Sequence, residues 1–167
     1  MKKIYIFAVF LLLILSLLYV SSLYNVVTIS GKNKTEIFFV KDGCKIELEF
    51  IHSVELFKYK EIYEVRDGKF ILRKALTKSF GWGLPSGGNV TFENDYIVFK
   101  SNRTYRYLYI STHSINDYTI KLDHKTLKLD DFGNLIKLKV DEIWPWTFQR
   151  LKEGLLMKEN YLAGKPY

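Results

Sequence analysis

Cysteine is nearly missing from this chain. Cys44 stands alone, so no intrachain disulfide can brace the fold, whatever the redox state of its compartment. The three histidines, His52, His113 and His124, are far apart in sequence, and none has a cysteine or second histidine at a metal-ligand spacing. His52-Ser53 and His113-Ser114 lack the glycines of a nucleophile elbow. Neighbouring strand residues also point to opposite faces, so neither histidine is placed to act as base for its own serine. No Lys-Ser or Lys-Thr follows Gly87-Gly88, which removes the phosphate-binding loop signature. Clustered positive charge is lacking too. Setting aside Lys2 and Lys3 takes the formal charge from +7 to +5, and the other basic residues are scattered beside acids, so nucleic acid is not an expected partner.

Charge is absent altogether from Ile4 to Leu23, and that run is almost wholly apolar. Twenty helical residues rise about 30 Å, enough to cross the hydrocarbon core of a bilayer. Lys2 and Lys3 are expected to hold the N-terminus inside, leaving the rest of the chain outside the cytoplasm. Val20-Ser21-Ser22 offers a cleavage site for the rival reading, a signal peptide, but the apolar run is longer than such peptides usually carry. The expected organisation is a membrane anchor over residues 1–23, an extracytoplasmic β domain over 24–140 and a helical extension over 141–167.

Within the domain, short strands follow one another between Gly, Asn and Asp turns: Tyr24 to Ser30, Thr35 to Lys41, and so on to Leu135 to Val140. The fold class this pattern predicts is mostly β, an antiparallel β-sandwich or open barrel-like sheets, with an N-terminal transmembrane helix and a short C-terminal helix. The C-terminal helix is read from Phe148, Leu151, Leu155 and Leu156, which recur at helical spacing after the break at Trp144-Pro145-Trp146. Lys78 to Gly88, with four of the ten glycines, reads as a long irregular loop.

Lys45 to Leu76 has the clearest pattern. Ile46, Leu48 and Phe50 alternate with charged residues, and His52 continues their inward row. Asp67-Gly68 signals a tight hairpin that pairs Val65 with Phe70, Tyr63 with Leu72 and Glu61 with Lys74. His52 and Glu61 are then expected to meet. Together with Ser53 and Glu55 they read either as a polar pocket or metal site, or as a network in which Glu61 pairs with Lys74 and His52 bonds loop backbone. The second is the expectation for a set with so few ligands. Tyr105, Tyr107 and Tyr109 read as one face of a strand. Trp82, between Gly81 and Gly83, reads as a core plug or a contact residue on a loop.

Phe50-Ile51-His52-Ser53-Val54-Glu55, Glu61-Ile62-Tyr63 and Ser79-Phe80-Gly81-Trp82-Gly83-Leu84-Pro85 resemble the domain of unknown function 1850 family, whose members accompany TRAP-type transporter permeases. The segments Asp117 to Leu122, Leu127 to Leu129 and Ile136 to Val140 are similar to that family's closing strands, so the resemblance runs from about Thr28 to Val140. Trp82 stands where the family pattern has a small residue, and Asp141 to Tyr167 extends beyond the family's domain. The resemblance implies a TRAP-type permease as partner and carries no established activity. The reading of the whole is a non-catalytic, membrane-anchored accessory or binding module, without a cofactor, with His52, Ser53, Glu55, Glu61 and Trp82 as candidate contacts. The alternative is an independent small-ligand or metal-binding domain.

Overall fold

The computed structural model describes residues 2–53, 56–80, 89–144, 147, 149 and 150. The chain opens with helix α1, Lys2–Ser22, whose side chains are apolar on every side and exposed along its length. It is the one described helix long and apolar enough to cross a membrane. Only Leu23 separates it from the first strand. The Leu23 carbonyl accepts from the Asp42 backbone N–H at 2.8 Å, and Trp144 Nε1 donates to Ser21 Oγ at 2.6 Å, so the junction and the last turn of the helix are each tied to the domain.

Twelve strands follow among the described residues: β1 Tyr24–Ser30, β2 Thr35–Lys41, β3 Lys45–Ile51, β4 Lys58–Arg66, β5 Lys69–Thr77, β6 Asn89–Glu93, β7 Tyr96–Lys100, β8 Thr104–Tyr105, β9 Tyr107–Ser111, β10 Thr119–Leu122, β11 Lys125–Lys128 and β12 Leu135–Glu142. They form two antiparallel sheets. The smaller has the order β2-β1-β12-β9, and the larger β11-β10-β3-β4-β5-β7-β6, with β8 also paired to β5. The main core lies between them: Val27, Ile29, Leu138 and Val140 from one sheet pack with Ile46, Leu48, Val65, Phe70 and Ile120 from the other. On β3, for example, alternation sends Ile46 and Leu48 inward and Lys45, Glu47 and Glu49 outward.

Asp67 and Gly68 have φ of 49° and 64°, the left-handed pair that a two-residue hairpin turn needs, so Val65 faces Phe70 and Tyr63 faces Leu72 as expected. The expected pairing of Glu61 with Lys74 is overturned. Arg73 is one extra residue on β5, so beyond it Glu61 faces Ala75, and Lys74 faces Ile62. A single inserted residue reverses side-chain parity, and Lys74 therefore leaves the inner face to bind Glu93 at 3.0 Å on the outer one.

The row of three tyrosines is also divided. The chain changes sheets at Arg106: Tyr105 on β8 packs against the core, while Tyr107 and Tyr109 on β9 stay exposed with Lys137 Nζ 4.5 and 5.7 Å from their ring centres. The expected C-terminal helix lies largely outside the described residues.

Candidate functional site

The bulge leaves Glu61 in unusual company. On the inner face of the larger sheet it lies opposite Leu48 on one side and Ala75 on the other, with Tyr59 and Tyr63 two residues away along its own strand. Tyr63 Oη donates to Glu61 Oε2 at 2.6 Å, and Tyr59 Oη to Oε1 at 3.3 Å. Both tyrosines are buried, whereas Glu61 keeps partial access to solvent. Phe50 stacks on Tyr118 with ring centres 4.7 Å apart and tilts against Tyr59 at 4.9 Å; Tyr105 meets Tyr63 edge-on at 6.4 Å. A second apolar cluster, Tyr59, Ala75, Ile97 and Phe99 with Phe50, continues beyond, so Glu61 sits at the boundary between two packed regions.

No lysine or arginine forms an ion pair with Glu61 among the described residues, although Glu47, Glu49, Glu64 and Glu93 on the same sheet each have one. Its neighbours respond to that uncompensated charge. Burial first, and then the Glu61 carboxylate, push the Tyr59 and Tyr63 hydroxyls far above the ordinary phenol range and raise Tyr118 as well. All three stay protonated at any physiological pH; Tyr59 and Tyr63 donate to the carboxylate, and Tyr118 contributes a ring stacked on Phe50.

The structure does not bring His52 to Glu61. His52 lies just beyond β3, its N–H donating to the Phe57 carbonyl at 2.9 Å, while Glu61 faces Leu48 four residues away. At about 3.3 Å per residue the separation along the sheet is roughly 13 Å. The His52 ring lies beside Phe57 with centres 6.0 Å apart, and Leu56, at φ 54°, helps close that loop. Ser53 is exposed on the same turn. Glu55 and Trp82 fall outside the described residues. The partners that sequence reading missed are Phe50, Tyr59, Tyr105 and Tyr118. Tyr59 was within reach, since it precedes Glu61 by two positions; Tyr105 and Tyr118 arrive from strands adjacent only in space.

A cleft of about 1210 Å³ opens elsewhere, between β2 and the β3–β10 side of the larger sheet, lined by Phe39, Lys41, Cys44, Lys45, Lys121 and His124 among others. Glu61 is the stronger candidate because it is partly buried without an ion pair among the described residues, whereas in the cleft Lys121 pairs with Glu47 at 2.8 Å, Lys125 pairs with Glu36 at 3.0 Å, and Lys41 and Lys45 are exposed to solvent. Partial burial raises the Cys44 thiol pKa above its ordinary value, which disfavours a reactive thiolate.

On the outer face, Glu49 gathers Lys58 at 2.8 Å and Lys60 at 2.9 Å. Partial burial would raise its pKa, but the two ammonium groups outweigh it and hold the carboxyl at about 2, against an ordinary 4.5. A depressed carboxylate stabilises the fold above its unfolded pKa and loses that contribution as pH falls through the folded one. Glu49→Gln is therefore expected to cost about 1–2 kcal/mol near neutrality, and the gap from wild type in urea midpoint should close between about pH 4.5 and about pH 2. A gap constant across that window would exclude the ion pairs as its source.

Residues 46–129, just over half of the chain, match the family described as Domain of unknown function (DUF1850). The chain belongs to this family. The DUF1850 match takes in most of the larger sheet, with the Glu61 cluster inside it, while β1, β2 and β12 of the smaller sheet lie outside. No curated protein and no solved structure matches the chain.

Proposed function

We propose that this protein is a single-pass, membrane-anchored binding module, its β domain outside the cytoplasm, working without catalysis beside a TRAP-type transporter permease. The observation that carries the binding role is Glu61, a partly accessible carboxylate with aromatic walls and no counter-ion among the described residues. A charge in such surroundings costs free energy unless something complements it, and the tyrosine hydroxyls supply only dipoles. The apolar run of α1 and its short junction to β1 support a domain kept at the membrane surface, and Lys2 and Lys3 support its orientation. Resemblance to proteins that accompany TRAP-type permeases supports the partner.

Full-length protein isolated from native membranes in mild detergent is the material for the test. It should stay with the membrane through a carbonate wash, be digested by protease added to the outside, and carry a TRAP-type permease with it through purification. Release by carbonate, an N-terminus beginning near Leu23, or purification without any permease would each remove a part of the proposal. The second reading, an independent ligand-binding domain, draws on the 1210 Å³ cleft. It would be favoured if no permease co-purified while a ligand raised the melting temperature of the protein alone.

A further inference from the structure

The Glu61 cluster carries one step more, and this step rests on the binding role proposed above. We propose that the site takes a small organic ammonium ion, with Glu61 as its counter-ion and Tyr59, Tyr63, Tyr105, Tyr118 and Phe50 as its aromatic walls. Three observations converge on that ligand class. The first is charge: the inner-face neighbours that the strand register gives Glu61 are Leu48, Ala75, Tyr59 and Tyr63, none of them cationic, because the extra residue Arg73 turns Lys74 outward. The second is the donor set. Tyrosine hydroxyls hold Oε2 at 2.6 Å and Oε1 at 3.3 Å, which fixes the carboxylate in place while leaving its negative charge uncancelled.

The third observation is the wall. Phe50, Tyr59 and Tyr118 form one connected ring group, with centre spacings of 4.7 and 4.9 Å, and Tyr63 with Tyr105 forms another at 6.4 Å. Ring faces carry negative quadrupole density, so a cation gains from them what a neutral or anionic ligand of the same shape does not. An anion would meet Glu61 and the ring faces with the wrong sign. A hard metal ion would find a single carboxylate where it requires several oxygens, and no group of three or more His, Cys, Asp and Glu residues able to hold a metal occurs among the described residues. An alkylammonium head, weakly hydrated and apolar on its outside, matches both the charge and the rings.

The test uses the full chain in lipid nanodiscs, with choline as the probe and 3,3-dimethylbutan-1-ol, its uncharged carbon analogue, as the control, followed by calorimetry. Choline is expected to bind at least about tenfold more tightly than the neutral alcohol, and Glu61→Gln to remove that preference. Because an inner-face variant can disturb folding, Tyr118→Leu, on a partly exposed ring, serves as a second variant and should weaken choline by about fivefold or more. Carbon-13 labelling of tyrosine gives a readout on the unmodified protein, with choline-dependent shifts expected at residues 59, 63, 105 and 118. Equal affinity for choline and the alcohol, no binding of either at millimolar concentration, or tyrosine shifts confined to other positions would overturn the assignment. Co-purification with a permease is scored separately. If a permease is retained while choline does not bind, the ammonium assignment fails and the accessory role stands; if choline binds without a permease, the reverse holds.

Discussion

Gly31→Ala is expected to lower the stability of the domain by about 3 kcal/mol, enough to shift its melting temperature by roughly 10 °C. Gly31 begins the turn between β1 and β2 and donates its N–H to the Lys34 carbonyl at 2.9 Å. A Cβ placed there would meet the Phe132 carbonyl oxygen at 2.1 Å and the Phe132 Cβ at 2.9 Å. The obstacle is backbone belonging to a tight 3₁₀ turn, Leu129–Phe132, which buries both of its end residues completely. It cannot swing aside as a flexible side chain would. The same turn is anchored to the hairpin through the Asn33 N–H and the Phe132 carbonyl at 3.0 Å, so moving it also breaks that bond. Gly43→Asn is the matched control. Gly43 has φ of 81°, a conformation asparagine tolerates, and the nearest obstacle to its Cβ is the end of Arg66 at 3.7 Å, so less than about 1 kcal/mol should be lost. Thermal melts of the two variants side by side decide the matter; equal losses would show that contact with the Phe132 turn is not what makes Gly31 necessary.

Glu61→Leu should be the most damaging change in the candidate site, at about 2–3 kcal/mol. Leucine fills similar space on the inner face but accepts nothing, leaving the buried Tyr59 and Tyr63 hydroxyls without their acceptor. Glu61→Gln keeps an amide oxygen for the 2.6 Å bond from Tyr63 and gives up the charge and the longer 3.3 Å bond from Tyr59, so its cost should stay below about 1 kcal/mol. Urea denaturation of both variants measures the difference. Losses of equal size would mean that the charge itself, and not hydrogen bonding, stabilises this part of the sheet.

Much of the fold was legible in the sequence because its signals are local. Alternation and turn residues marked β1 and β2 to the residue, and Asp67-Gly68 specified the hairpin and its turn geometry. The misreadings share a cause. The extra residue at Arg73 shows in the row of Phe70, Leu72, Lys74 and Leu76 only as one charged residue among apolar ones, yet it moves Lys74 to the other face and strips Glu61 of its expected partner. His52 follows Phe50 in perfect period, but the hairpin ends there, and register carries Glu61 four residues away from it. Tyr105 and Tyr107 share a period of two although the chain crosses from one sheet to the other between them. Side-chain parity within one strand is written locally; bulges, strand ends and sheet crossings depend on what packs on either side. Of the candidate site, the place of Glu61 on the inner row was legible, and its tyrosine company was not.

A choline titration of the melting temperature, run in parallel on the full-length wild type and Glu61→Gln in nanodiscs, separates a binding site from a structural brace most directly. The expected result is a variant that melts within a few degrees of wild type without ligand, together with a choline-dependent rise seen in wild type alone. A variant that melts far below wild type, with neither protein responding to choline, would contradict the account and leave Glu61 as a brace for two tyrosine hydroxyls.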